Sequence, residues 1–231
     1  MGRSNYQLKY NVDIVFCMDA TGSMEHALDL VKKNALSFYD DLMKEMNTKG
    51  KRICELRAKV VAFRDYIADG DQAMLETDFF NLPMESKEFS DVVSTLEPEG
   101  GGDEPEDGLE ALAFAMKSNW TTGGDKRRHI IVVWSDASTH PLGWSKSSPE
   151  YPSRMVKSFD ELTMMWDGKP EEGGVMDHNA KRLIIYAPDE PYWSTISETW
   201  DGVIHFPSEA GNGLDTLTYK EIIDQIVFSI G

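Results

Sequence analysis

The chain has 231 residues, 41% of them hydrophobic, enough for one large α/β domain with a sizeable core. It carries 23 basic against 40 acidic side chains, a formal net charge of −17. Such a field repels phosphate backbones and anionic lipid heads, which argues against nucleic acid and membrane surfaces and favours a protein partner with a basic face, or a metal cation.

The opening MGRSNYQLKYNVD has no apolar core and no run of 18 apolar residues follows, so neither a signal peptide nor a transmembrane helix is expected. The two cysteines, Cys17 and Cys54, lie in or near apolar runs. They read as buried reduced thiols, which suits a cytoplasmic protein.

Strand-like and helix-like segments alternate. Val12–Met18 is an apolar run bounded by turn residues and predicts a buried strand. Ser23–Met46 predicts one long helix, with Leu28, Val31, Ala35, Phe38 and Leu42 on a single stripe. Leu56–Arg64 and Met74–Phe80 predict two strands. The short link between them, with Asp69–Gly70–Asp71, suggests an antiparallel pair. Ser86 is placed to cap a helix carrying Phe89, Val92, Val93 and Leu96.

Glu97–Gly108 is loop by composition, and Leu109, Leu112, Ala113 and Met116 mark the next helix. His129–Ser135 is the strongest strand signal, followed by a polar loop over His140–Pro152 and a helix over Met155–Trp166. Arg182–Ala187 and Val203–Phe206 predict two further strands, separated by a short helix around Ser194–Trp200. A T-x-x-E box, Thr218 to Glu221, opens the last helix. With no repeat and no long linker, the chain reads as one domain, with its core from about residue 12 to 231. The expected fold is α/β, doubly wound: a mostly parallel six-stranded sheet with one antiparallel edge strand and helices on both faces.

In such folds, ligands sit beyond the carboxyl ends of the strands. Three of those ends carry oxygen donors. The first strand runs into Asp19–Ala20–Thr21–Gly22–Ser23, where alternation brings one carboxylate and two hydroxyls toward one point. The strand ending at Ser135 presents Asp136, and Gly101–Gly102–Asp103–Glu104 brings Asp103 or Glu104 in from a third loop. This hard oxygen set suits Mg²⁺ or Mn²⁺, with Ca²⁺ also accommodated, rather than Zn²⁺.

DATGS, GGGDEPED and WSDAS, in that order and after those elements, resemble the metal-ion-dependent adhesion site of von Willebrand factor A domains. The resemblance covers the chain from about Val12. The second loop is similar to that of stand-alone intracellular members, including bacterial proteins of the tellurite-resistance type, several of which work beside kinases, phosphatases or ATPases. The resemblance implies that Thr21 and Ser23 coordinate Mg²⁺ directly and that Asp19 and Asp136 lie in or just outside the first shell. It also implies that the site binds a partner protein. Integrin-like members supply Thr in the second loop, where this chain offers Asp103. The extra negative charge implies tighter metal and weaker capture of a partner carboxylate.

Other assignments remain open to the same residues. Asp19, Thr21 and Ser23 also fit a helix N-cap. Glu106 and Asp107 fit a first-turn acidic pair complementing the helix dipole, and Glu104 is undecided. The Gly100–Gly102 run lacks a following Lys-Ser/Thr and so does not read as a phosphate cradle. Of five scattered histidines only His140 shares an edge with Asp136, and in the same loop Trp144 and Tyr151 fit either packing or a contact surface. The competing class is a Mg²⁺-dependent phosphatase or hydrolase with Asp19 as nucleophile. The second acid such an enzyme needs two residues later is replaced here by Thr21.

Overall fold

A computed structural model describes residues 9–100 and 105–231. Asp103 and Glu104 lie outside the described residues.

The first strand, β1 (Lys9–Asp19), alternates between two cores. Val12, Ile14, Phe16 and Met18 face one layer of helices, while Val15 and Cys17 face the other. A strand apolar on both faces must be central. Accordingly β1 pairs in parallel with β2 (Arg52–Phe63) on one side and β5 (Lys126–Trp134) on the other. Two further parallel strands, β6 (Lys181–Pro188) and β7 (Val203–Ser208), continue beyond β5.

The chain thus leaves the centre to one side through β2 and to the other through β5, β6 and β7. The crevice between β1 and β5 is the switch point, the place where open α/β sheets receive ligands. The doubly wound α/β expectation holds, with one correction. Seven described strands form the sheet, because the outer edge of β2 is covered by two short antiparallel strands, β3 (Met74–Glu76) and β4 (Phe80–Leu82). The predicted strand over 74–80 breaks at Thr77, whose hydroxyl takes the Val60 N–H at 3.0 Å. The expected antiparallel pair forms between β2 and β3, and the connection between them carries a turn of helix, α3 (Tyr66–Asp69), capped by the Asp65 carboxylate.

One face of the sheet is covered by α1 (Glu25–Asn34), α2 (Phe38–Thr48), α4 (Ser86–Thr95) and α8 (Tyr219–Ile230). The single helix expected over 23–46 is two. The Asn34 side chain donates to the Leu30 carbonyl and the Ser37 hydroxyl to the Asn34 carbonyl, local bonds that compete with the helical ladder. Ser86 is the first residue of α4, not its cap, and Glu85 in the cap position binds Asn81 instead.

The other face holds α5 (Gly108–Met116), α6 (Phe159–Asp167) and α7 (Trp193–Thr199). Nearly every residue of α5 is buried, so it is the central helix of that layer. The helix expected from Met155 begins at Phe159, after Ser158 accepts the Glu161 N–H. The Thr218–Glu221 capping box forms as read. Cys17 is buried but Cys54 is exposed, which corrects the expectation of two buried thiols. Among the described residues no helix is long and apolar enough to cross a membrane.

Phe16 anchors the first core, stacked on Trp134 with ring centroids 5.4 Å apart and edge-on to Phe38 at 5.5 Å. Phe16→Ala is expected to remove about 3–5 kcal/mol of stability, read by denaturant unfolding. A loss under about 1 kcal/mol would mean that this aromatic cluster does not anchor the layer.

Candidate functional site

Asp19 is the last residue of β1 and is fully buried. The chain then turns: Thr21 is extended, and Gly22–Met24 makes one tight helical turn into α1. That turn folds Thr21 back over the strand end. Its N–H and hydroxyl both donate to Asp19 Oδ1, at 3.0 and 2.6 Å, and Ser135 donates to Asp19 Oδ2 at 2.7 Å. Across the crevice Asp136 follows β5, at 1% exposure. Its Oδ1 accepts from the Ser23 hydroxyl at 2.9 Å and its Oδ2 from Gly213 N–H at 2.8 Å. Neither Thr21 nor Ser23 makes the side-chain bond of a helix cap, so the capping reading of this run is not what the geometry shows.

The two hydroxyls have a telling arrangement. Each spends its one proton on a carboxylate, yet their oxygens lie only 3.4 Å apart. Lone pair then faces lone pair, which is unfavourable unless positive charge sits between them. Adjacent oxygens in an octahedral Mg²⁺ shell are about 3 Å apart, so the spacing is close to that of two direct ligands. Among the described residues no Lys or Arg side chain bonds either Asp19 or Asp136. The donor set fits a hard divalent cation held by Thr21 and Ser23, with Asp19 and Asp136 orienting those hydroxyls. Asp103, the fifth expected ligand, lies outside the described residues. Within them, no group of three or more His, Cys, Asp or Glu side chains is placed to hold a metal, so the two hydroxyls are essential to this reading.

Burial pushes the Asp19 carboxyl up to about 6, against the hydrogen bonds from Thr21 and Ser135, and the Asp136 charge adds to the rise. The surrounding loops are fastened by side chains that the sequence reading did not single out. Arg64 donates to the carbonyls of Ala20, Gln72 and Glu97, clamping the end of β1 to the segment that leads into the second loop. Gly211 N–H donates to the Asp136 carbonyl at 2.8 Å. Gly213, at φ +57°, passes so close to Ser23 that a Cβ would stand 2.1 Å from its carbonyl oxygen. Ser135 was legible as the neighbour of Asp136, and Gly211–Asn212–Gly213 as a glycine pair in a loop after a strand.

The acidic pair stands at the N-terminal end of α5, as expected, but neither acid faces solvent. Glu106 and Asp107 are both buried. Asp107 accepts from Tyr66 N–H at 2.8 Å and from the Ser145 hydroxyl at 2.9 Å. Glu110, one turn on, accepts from Gly143 N–H and the Tyr151 hydroxyl, tying the loop after Asp136 to α5. His140 is brought to Asp65, its Nε2 3.1 Å from Oδ2, and stacks on Trp144 with centroids 5.3 Å apart. Tyr151 is a packing residue against Tyr66. Trp144 stays 60% exposed on the same edge. Trp193 and Trp200 belong to the second core.

No protein-family model matches the chain. It is 22% identical over 155 residues to the alpha-protein kinase vwkA of Dictyostelium discoideum, a match covering 66% of this chain and 23% of that protein. Among solved structures it is similar to the pilus adhesin SpaC from Lactobacillus rhamnosus GG, with a TM-score of 0.54 and 9% identity, over 98% of this chain and 31% of that one. It is also similar to proximal thread matrix protein 1 from the mussel byssus, with a TM-score of 0.51 and 13% identity, over 96% of this chain and 49% of that one. The chain spans less than half the length of each of these proteins. At such identities the structural likenesses speak for the fold, a doubly wound α/β domain.

Burial raises Glu110 to about 7 and Glu106 to about 9, above the ordinary value near ~4.3 that they regain on unfolding. A raised acid contributes stability that is complete below the unfolded value and is lost as pH climbs through the folded one. The metal-free protein is therefore expected to melt at progressively lower temperature between pH 5 and pH 9. Glu110→Gln should remove the part of that fall that runs from the unfolded value up to about 7. Melting curves in chelator across this range test it, and an unchanged slope in the variant would refute the assignment.

Proposed function

We propose that this domain is a metal-dependent protein-interaction module of the von Willebrand factor A type. It would hold Mg²⁺, or Mn²⁺ or Ca²⁺, at Thr21 and Ser23, supported by Asp19 and Asp136 and by Asp103 from the second loop, and bind a partner protein there. The observation that carries this reading is the pair of hydroxyl oxygens 3.4 Å apart, each already donating to its own carboxylate. Bound Mg²⁺ would supply fixed positive charge and open positions for water or a partner's oxygen.

The protein's own groups do the rest. Asp19 and Asp136 turn the hydroxyl lone pairs toward the cation, and Arg64 and the Gly211–Gly213 segment keep the loops in register. The net charge of −17 supports a partner with a basic face, met at an edge where Trp144 offers an exposed aromatic anchor. A scaffold or regulator beside a kinase or phosphatase is the role we favour, in the cytoplasm, where free thiols such as Cys54 persist. Asp19 is poorly placed as a hydrolase nucleophile. It is fully buried and both of its oxygens are taken by Thr21 and Ser135.

Calorimetric titration with Mg²⁺ should show saturable binding to the wild type that Asp19→Ala and Asp136→Ala both lose, with each variant still folded in chelator. Absence of binding by chelator-stripped wild type would overturn the proposal. Mg²⁺-dependent turnover of simple phosphate esters would move it to the hydrolase class.

A further inference from the structure

Four neighbouring parallel strands all open on a cation: β2 on Arg52, β1 on Lys9, β5 on Lys126 and β6 on Lys181. In a parallel sheet these starts share one edge. A chain of net charge −17 thus gathers positive charge at the edge opposite Asp19 and Asp136. The charge is densest where β5 begins Lys126–Arg127–Arg128 and β6 begins Lys181–Arg182. Alternation divides these residues between the two faces of the sheet. On the α6 side Arg127 and Lys181 each take an acid, Asp177 and Asp167. On the α8 side Lys126, Arg128 and Arg182 precede Ile130 and Ile184, and none of the three pairs with an acid among the described residues.

The two arginines are held rather than free. Arg128 Nε donates to the Ile230 carbonyl at the end of α8 at 2.9 Å, and its guanidinium lies 5.6 Å from the centroid of the Tyr10 ring. Arg182 donates to the Lys181 carbonyl and stands in register with Ile130, one alternation beyond Arg128. Strands lie about 4.8 Å apart and two residues span about 6.6 Å, so the two arginines start roughly 8 Å apart on one face, within each other's reach. Burial, and then the Arg182 charge, lower Arg128 from its ordinary value. Capping α8 accounts for part of this cluster. The carbonyl end of a helix is equivalent to about half a negative charge, which leaves roughly +2.5 of the three cations uncompensated.

We propose that Lys126, Arg128 and Arg182 form an anion site for a phosphate group, at the sheet edge opposite the proposed cation site. Guanidinium forks match phosphate oxygens two at a time. A phosphate monoester carries about −1.5 to −2 at neutral pH, a closer match to the excess than one carboxylate. The −17 charge, which repels a repeating nucleic-acid backbone, acts less on a single group, because screening limits it to charges within about 8 Å at physiological salt. A cleft of about 340 Å³ between the start of β5 and the turn before β6 has Lys126 and Arg128 in its wall. Asp125 and Asp177 share that wall, and Asp177 is spent on Arg127.

The test is calorimetric titration with inorganic phosphate, on protein freed of metal and chelator, with melts of each variant. Wild type should bind saturably. Arg182→Gln should bind about tenfold more weakly or worse, the loss expected for one charge-assisted contact, and Arg182→Lys should fall between. Lys126→Gln, at an exposed position, should weaken binding too and repeats the test should Arg182→Gln fail to fold. Lys9→Gln removes the same charge from the same edge but from the other face, and should bind within twofold of wild type. Equal weakening by Lys9→Gln and Arg182→Gln would overturn the inference in favour of a diffuse field. So would absence of saturable phosphate binding, or acetate binding as tightly as phosphate. Sedimentation with phosphatidic acid vesicles without binding of free phosphate would overturn it in favour of a membrane surface.

Discussion

Asp19 and Asp136 are buried at the carboxyl ends of the two central strands, on either side of the crevice where the chain changes direction, and the loops above them are arranged around that fact. A buried carboxylate must collect hydrogen bonds or a cation. Asp19 collects Thr21 and Ser135, and Asp136 collects Ser23 and Gly213. Each bond fixes a loop: the turn into α1, the end of β5 and the segment after β7. The two acids therefore act as knots for three connections that approach from different elements. The same bonds leave two hydroxyl oxygens 3.4 Å apart, so on the proposed reading satisfying the acids and preparing a cation site are one arrangement.

The sequence displayed much of this because it depends on short-range rules. An apolar run bounded by turn residues is hard to read as anything but a buried strand, and β1 and β5 appear where those runs lie. What escaped the sequence reading depends on side chains competing with backbone. Asn34 and Ser37 divide a helix whose apolar stripe is unbroken, and Thr77 divides a strand whose composition is uniform. Period and propensity carry no record of such local bonds. Glu106 and Asp107 escaped for a different reason. Their position at a helix start is where exposed acids are common, and only the packing of Tyr66, Ser145 and the loop after Asp136 over α5 turns them inward.

Those inward acids give the edge its second structural theme. Asp65, Asp107 and Glu110 hold the loop from His140 to Tyr151 by side-chain bonds to His140, Ser145, Gly143 and Tyr151. A loop fastened at four points costs little further entropy to present in one shape. Trp144 rides on that loop, stacked on His140 yet largely in water. An exposed aromatic on a rigid base is the kind of anchor that concentrates binding energy at protein interfaces. The acids that fasten this loop and the acids that shape the crevice are neighbours, so the proposed contact surface and the proposed cation site would share one foundation.

The charge count then bears on what a partner can offer. On the proposed reading, one dication meets Asp19, Asp136 and Asp103, so the site is negative before any partner arrives. A further carboxylate from the partner would be pulled by the metal but pushed by all three acids, in a setting where burial weakens screening. Lys or Arg side chains would meet attraction from those same acids and from the −17 charge of the whole chain. Recognition on this edge should therefore be read through cationic and aromatic contacts around the ion. The ion's part is then to hold Thr21, Ser23 and the loops behind them in the shape those contacts require.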